Sequence, residues 1–216
     1  MWAAVATEIE LFSDFVCPWC LIGTHRLERV LDDLDITEDT RIRYRPFMLD
    51  PNTPPEGKNI PEELRRKYGR DPAPMFARVE AEARASGIKL ELAKQPLMLP
   101  TARAHTLMRH TPVERQHALA KDLFEAYFLD ARNISEIDVL TELGIAHGHV
   151  ADEVARWLSD PDELATTKRA AEQAARMGIQ GAPFFIIDSA IAISGAQPED
   201  VFRRALLQAR EPAGAS

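Results

Sequence analysis

Both cysteines of the chain lie in one tetrapeptide, Cys17-Pro18-Trp19-Cys20. A bridge closing so short a loop constrains almost nothing in the unfolded chain, so the pair is not a structural staple and its use is chemical. Where a C-x-x-C stands at the end of a strand and the start of a helix, the first cysteine meets unpaired backbone N–H groups and the positive end of the helix dipole. Both favour the thiolate. Cys17 is therefore the expected nucleophile. Cys20 follows almost one helical turn later, comes round beside it, and is the expected resolving thiol of a mixed disulfide. Pro18 suits the first helical turn, where its missing N–H costs nothing. The same C-x-x-C pattern is also a zinc half-site, which His105 and His110 could complete as a four-ligand set. Those histidines are far along the chain and sit in an apolar, helix-like context, unlike a compact finger. Two inert buried cysteines are the blander alternative, against which the corner position weighs.

The elements that must hold this corner are legible on either side of it. Glu8-Ile9-Glu10-Leu11-Phe12 alternates with the two-residue period of a half-buried strand. After the tetrapeptide, Leu27, Val30, Leu31 and Leu34 fall on one helical face. Arg41-Ile42-Arg43-Tyr44-Arg45 alternates again and is closed by Pro46, so the segment reads strand, helix, parallel strand. The texture changes from Pro51 to Pro74, which holds six of the fifteen prolines and marks an exit into a different unit. Helical spacings follow: Phe76, Val79 and Ala83; Leu119, Leu123 and Tyr127; Ile137, Leu140 and Leu143 before Gly144; Val150, Val154 and Trp157 with Leu158. No strand is expected between about 60 and 160. Asp160-Pro161-Asp162-Glu163 then signals a helix start, with the stop at Gly178. The apolar run Pro183 to Ile187, an Asp188-Ser189 turn and Ala190 to Ile193 read as a hairpin. A last helix opens at Pro198 with Val201, Phe202, Ala205 and Leu206 inward, and Pro212 to Ser216 are expected to fray. With the helical middle removed, the order is that of a thioredoxin-like α/β fold. The expected division is a discontinuous thioredoxin-like domain, 1–55 and 160–216, around an all-helical insertion, 56–159.

Composition narrows the function. At 216 residues the chain can bury a large core, and a net charge of −8 argues against binding nucleic acid or anionic membrane through bulk electrostatics. No apolar run has the length of a membrane-spanning helix, and Met1 to Thr7 lack the pattern of a secretory leader. A cytoplasmic protein is expected.

Several segments together resemble a known family. They are Ser13-Asp14-Phe15-Val16 leading into the cysteine tetrapeptide, Ile22-Gly23, Arg45-Pro46-Phe47 through Asp50-Pro51-Asn52 to Pro55-Glu56-Gly57, Ala104-His105, Gly181-Ala182-Pro183-Phe184-Phe185 and Ser194-Gly195-Ala196-Gln197-Pro198. The chain resembles the DsbA-type thioredoxin-fold oxidoreductases over about residues 8 to 208, most of all the FrnE-like branch of polyketide-associated dithiol-disulfide isomerases. By itself Pro183 reads only as a strand opener. The resemblance implies a cis proline that packs against the dithiol, with Ala182 offering its backbone to the substrate. It also implies that Trp19 tunes the dithiol or contacts substrate, where the bland reading is a residue covering the sheet edge.

Asp14 is a candidate proton relay or a turn cap. His105 is a candidate cleft residue or an ordinary packed histidine. The Arg41, Arg43 and Arg45 stripe is a solvated strand face or a basic lip for acidic substrates. Two departures separate the chain from the glutathione-dependent relatives, the kappa-class transferases and 2-hydroxychromene-2-carboxylate isomerases. Those carry Ser where Cys17 stands, and a Ser-Asp pair where Ala196 and Gln197 stand here. Pro100 also replaces the Asn common before Thr101 in FrnE-like relatives. The expected activity is thiol-disulfide exchange by a Cys17–Cys20 couple with no bound cofactor and no metal, reduced by glutathione or a thioredoxin-type donor. It would act on a disulfide-containing protein or a small thiol substrate. A glutathione-dependent small-molecule enzyme and a non-catalytic chaperone-like or zinc-binding module are the alternatives. Oligomeric state is left open.

Overall fold

The computed structural model describes residues 6–211, so most of the Met1 to Thr7 start and all of the tail expected to fray, Pro212 to Ser216, lie outside the described residues. β1 (Thr7–Ser13), α1 (Pro18–Asp33) and β2 (Thr40–Pro46) form the expected unit, with β1 and β2 parallel from Thr7 opposite Thr40 to Ser13 opposite Pro46. Next come β3 (Lys58–Asn59), α2 (Ile60–Tyr68), α3 (Ala73–Ala85), β4 (Leu97–Met98), α4 (Ala102–His110), α5 (Val113–Phe128), α6 (Ile137–Ala146) and α7 (Ala151–Ser159). The chain returns through α8 (Pro161–Arg176), β5 (Phe184–Ile187), β6 (Ile191–Ser194) and α9 (Glu199–Arg210). The main sheet has the order β2-β1-β5-β6, with β5 antiparallel to both of its neighbours.

Local chemistry explains the boundaries. β2 buries Ile42 and Tyr44 and leaves Arg41, Arg43 and Arg45 accessible, so the arginine stripe is one solvent-reached face of the strand. The start of α8 is set by Asp160, whose side chain accepts the Asp162 N–H at 2.8 Å, with Pro161 beginning the helix. Both turn residues of the hairpin, Asp188 and Ser189, have positive φ, which matches the twist of the flanking strands. The Asp188 carboxylate also accepts the Glu8 N–H at 2.8 Å, tying the turn to β1.

One apolar core runs from the sheet into the helical region. It joins Ile9 and Leu11 of β1, Ile22 and Leu27 of α1, Leu123 and Phe124 of α5 and Phe202 of α9. Phe15 lies tilted against Phe124 with ring centroids 5.5 Å apart, so α5 packs directly behind the cysteine corner. A smaller cluster, Phe12, Ala174 and Ile179, lets α8 cover the opposite face of the sheet.

Three details differ from expectation. β4 lies inside the stretch expected to lack strands and pairs antiparallel with β3, Lys58 opposite Met98 and Asn59 opposite Leu97. Two-residue strands are too short to show a period. Val150 is not on a helical face; it caps α7 from outside and is 60% exposed. Gly144 lies within α6 instead of ending it. A Cβ there would meet the Val154 side chain at 2.9 Å, so this glycine allows α6 and α7 to approach.

Candidate active site

The segment from Ser13 to Cys20 turns the end of β1 into the start of α1. The Cys17 N–H donates to the Asp14 carbonyl at 3.1 Å, and the Cys17 carbonyl accepts from Cys20 at 3.0 Å. Cys17 is the N-cap residue of α1 in an extended conformation, with Pro18 in the first turn as anticipated. Both cysteines are free thiols; Cys17 is 3% exposed and Cys20 fully buried. Burial pushes the Cys20 thiol well above its ordinary value, and the adjacent Cys17 acts in the same direction. The Asp14 backbone and the Ser13 side chain oppose them. Cys20 is thus a neutral thiol in the reduced protein.

Across the corner, the Cys17 thiol faces the Ala182 carbonyl at 3.8 Å, and the Ala182-Pro183 peptide is cis. Residues far apart in sequence meet here because β5 lies beside β1. Gly23 makes the approach possible: a Cβ at this position of α1 would sit 3.0 Å from Pro183 Cγ and 3.3 Å from Phe185 Cζ. Trp19 is half-buried and packs on the main core beside the dithiol.

Asp14 and His105 also converge, both with side chains only 2% exposed. One Asp14 oxygen accepts the Leu49 N–H at 2.8 Å, fixing the loop after β2, so Asp14 caps that loop and not α1. The other lies 3.4 Å from His105 Nε2, and neither of these two atoms has an aligned hydrogen-bond partner. The His105 ring lies tilted on Phe15 at 4.8 Å. His110 turns elsewhere: it stacks on Trp157 at 4.1 Å and places Nε2 3.0 Å from a Glu163 oxygen. The two histidines therefore face different partners, and among the described residues no group of three or more His, Cys, Asp or Glu is arranged to hold a metal.

Three contributors were not apparent from spacing. The buried Tyr127 hydroxyl donates to the Leu97 carbonyl at 2.7 Å. Burial drives its ionisation upward, with the charges of Asp14 and Cys17 adding, which puts Tyr127 in the site's surroundings. A buried tyrosine hydroxyl needs a partner, and that was the available signal. Arg26 leaves α1 to donate to Ser86 Oγ at 2.8 Å, the Ala196 carbonyl at 2.8 Å and Glu82 at 2.7 Å, binding α1 to α3 and to the loop after β6. Gly23 is the third; the family resemblance singles out Ile22-Gly23, but spacing does not show what this glycine packs against, nor does it announce Arg26.

The sequence matches the family described as DSBA-like thioredoxin domain over residues 8–207. A solved probable DsbA oxidoreductase from Streptomyces coelicolor is 31% identical, covers 94% of this chain and 89% of its own, and superposes with a TM-score of 0.82. Two more distant structures share the fold. One is a 2-hydroxychromene-2-carboxylate isomerase at 15% identity, with a TM-score of 0.70 and 93% and 95% of the two chains covered. The other is the cytosolic disulfide reductase DsbM of Pseudomonas aeruginosa with GSH, at 19% identity, a TM-score of 0.64 and 93% and 98% covered.

Proposed function

The chain belongs to the DSBA-like thioredoxin domain family, whose chemistry is thiol oxidoreduction, and from that premise we propose a dithiol-disulfide exchange carried by Cys17 and Cys20. The Cys17 thiolate attacks one sulfur of a substrate disulfide, forming a mixed disulfide and releasing the other sulfur as a thiolate. Cys20 loses its proton and attacks Cys17 Sγ. The second substrate thiol leaves, and a Cys17–Cys20 disulfide remains. Two electrons have then passed to the substrate, and glutathione or a thioredoxin-type dithiol would return them. In isomerisation, a second substrate thiol attacks the mixed disulfide before Cys20 does, with no net redox change.

The observation that carries this reading is the 3.8 Å contact between Cys17 Sγ and the Ala182 carbonyl. The backbone leading into β5 thus lies beside the nucleophile, where an extended substrate segment could align, and Gly23 leaves room for Pro183 to approach α1. To Asp14 and His105, whose side chains lie 3.4 Å apart, we assign the accessory role of taking up the proton that Cys20 must release. Trp19 would line the approach.

A disulfide-containing protein or small disulfide is the substrate class we assign, and the cytoplasm the compartment. The reducing poise there favours reduction or isomerisation over oxidation. No helix of the described residues is long and apolar enough to cross a membrane. Assignment to the FrnE-like branch rests on the segments before Cys17 and around Gly195. A glutathione-holding role at Ala196 and Gln197 is disfavoured. The Ala196 carbonyl is occupied by Arg26, and the Gln197 side chain donates to the Ser194 carbonyl at 2.8 Å.

Insulin reduction and refolding of a scrambled substrate test the proposal. Cys17→Ser should abolish both activities, and equal activity in wild type and Cys17→Ser would sink it. Cys20→Ser should leave the substrate stranded on Cys17 as a mixed disulfide recoverable without reductant.

A further inference from the structure

A cleft of about 520 Å3 opens between α8 and the β2 side of the sheet, a volume typical of small-molecule sites. Its walls carry the guanidinium groups of Arg43, Arg45 and Arg109 with one carboxylate, Glu10, and its apolar lining includes Phe12 and Met177. In a chain of net charge −8, such a local excess of positive charge is a departure from the surface around it.

The arginines are not equally committed. Arg45 is paired with Glu10. Arg109 reaches Glu163 at 3.2 Å and Thr167 Oγ1 at 2.9 Å. Arg43 lies opposite Glu10 in the β1–β2 register, yet that carboxylate goes to Arg45, and among the described residues Arg43 has no ion-pair partner. Its planar fork of donors is therefore free for a ligand carboxylate. At the other side Met177, just past the end of α8, is 57% exposed although it is a large apolar side chain. Phe12 below it belongs to the small cluster on the sheet face covered by α8.

We propose that this cleft binds an amphipathic organic anion, a carboxylate with an apolar body of about one aromatic ring, its head on Arg43 and its body against Phe12 and Met177. The site is separate from the thiol chemistry, since Cys17, Cys20, Ala182 and Pro183 do not line it. It stands whether or not the exchange reaction does.

The test is calorimetric titration of the full chain with 4-phenylbutyrate and, in parallel, its uncharged amide. The carboxylate should bind saturably at one site. Loss of one charge-assisted pair should weaken it by about tenfold, about 1.4 kcal/mol, whether the charge is removed from the ligand or by Arg43→Ala. Arg41→Ala, on the same strand but paired with Glu8, and Cys17→Ser should leave the affinity unchanged. Absence of saturable binding at millimolar ligand would overturn the proposal. So would equal affinity for acid and amide, an unchanged affinity in Arg43→Ala, or loss of binding in Cys17→Ser. The amide arm needs no variant, so it decides the matter even if Arg43→Ala folds poorly.

Discussion

Replacing Gly23 by alanine sets two effects of opposite sign against each other at one position of α1. In an open helix the change would stabilise by about 1 kcal/mol, because glycine is a poor helix former. Here the new methyl meets Pro183 Cγ at 3.0 Å, Phe185 Cζ at 3.3 Å and the Ala196 Cα at 3.4 Å. None of these is a flexible side-chain end. Phe185 is fully buried and packed edge-on against Phe202 at 4.9 Å, and the loop after β6 is held by Arg26. Overpacking of a tight core costs roughly 1–3 kcal/mol, so the balance is a net loss of about 1 kcal/mol. Pro183 is the nearest neighbour, and a shift of a few tenths of an ångström there carries the Ala182 carbonyl away from Cys17. Since a misplacement of about 1 Å can cost about a hundredfold in rate, a loss of roughly threefold to tenfold is expected. Urea midpoints and insulin reduction measure the two effects, with Gly181→Ala as control because a Cβ at Gly181 meets nothing within 4 Å. A Gly23→Ala protein with a raised midpoint and full activity would refute the reasoning.

Other consequences are equally open to measurement. Arg26→Ala should lose on the order of 3 kcal/mol in urea unfolding, because a nearly buried guanidinium with three anchoring hydrogen bonds is removed; Arg26→Lys should recover only part, since an ammonium lacks the fork. The Cys20 thiol is raised above 9.0 in the fold, so the reduced protein binds the proton more tightly than its unfolded chain. That stabilisation is complete below pH 9.0 and is lost as pH rises beyond it, and unfolding free energies between about pH 8 and 11 should fall more steeply for wild type than for Cys20→Ser. Glu28 has the opposite sign. His117, 3.7 Å from the carboxylate, and the Lys121 ammonium hold the carboxyl at about 2 against 4.5. Its contribution is present above pH 4.5 and lost as pH falls toward 2, so Glu28→Gln should flatten the acid limb of the stability curve.

Much of the frame is local chemistry. β1 and β2 follow from a two-residue period, α1 from an apolar stripe after Pro18, and the start of α8 from an aspartate cap next to a proline. What escaped the sequence is of another kind. The β3–β4 ribbon is a pairing between segments nearly forty positions apart, each too short for periodicity. Gly144 reads as a helix stop but is a point of contact with Val154, and that distinction depends on where α7 lies. Asp14 could have capped its own turn; the fold instead gives its oxygens to Leu49 and His105.

Amino-acid order alone determined that the two cysteines stand at a strand-to-helix corner, and that a proline-led strand returns after a helical interval. Each of those depends on neighbours a few residues away. Tertiary structure alone decided which groups surround the sulfurs. Placing β5 beside β1 brings the Ala182 carbonyl to Cys17, closure of the helices behind Phe15 buries Cys20 and sets His105 against Asp14, and the covering of the second sheet face by α8 leaves Arg43 free beside an apolar wall. Such contacts are made by packing in three dimensions, where dielectric, crowding and competing partners are set by residues that local spacing does not connect.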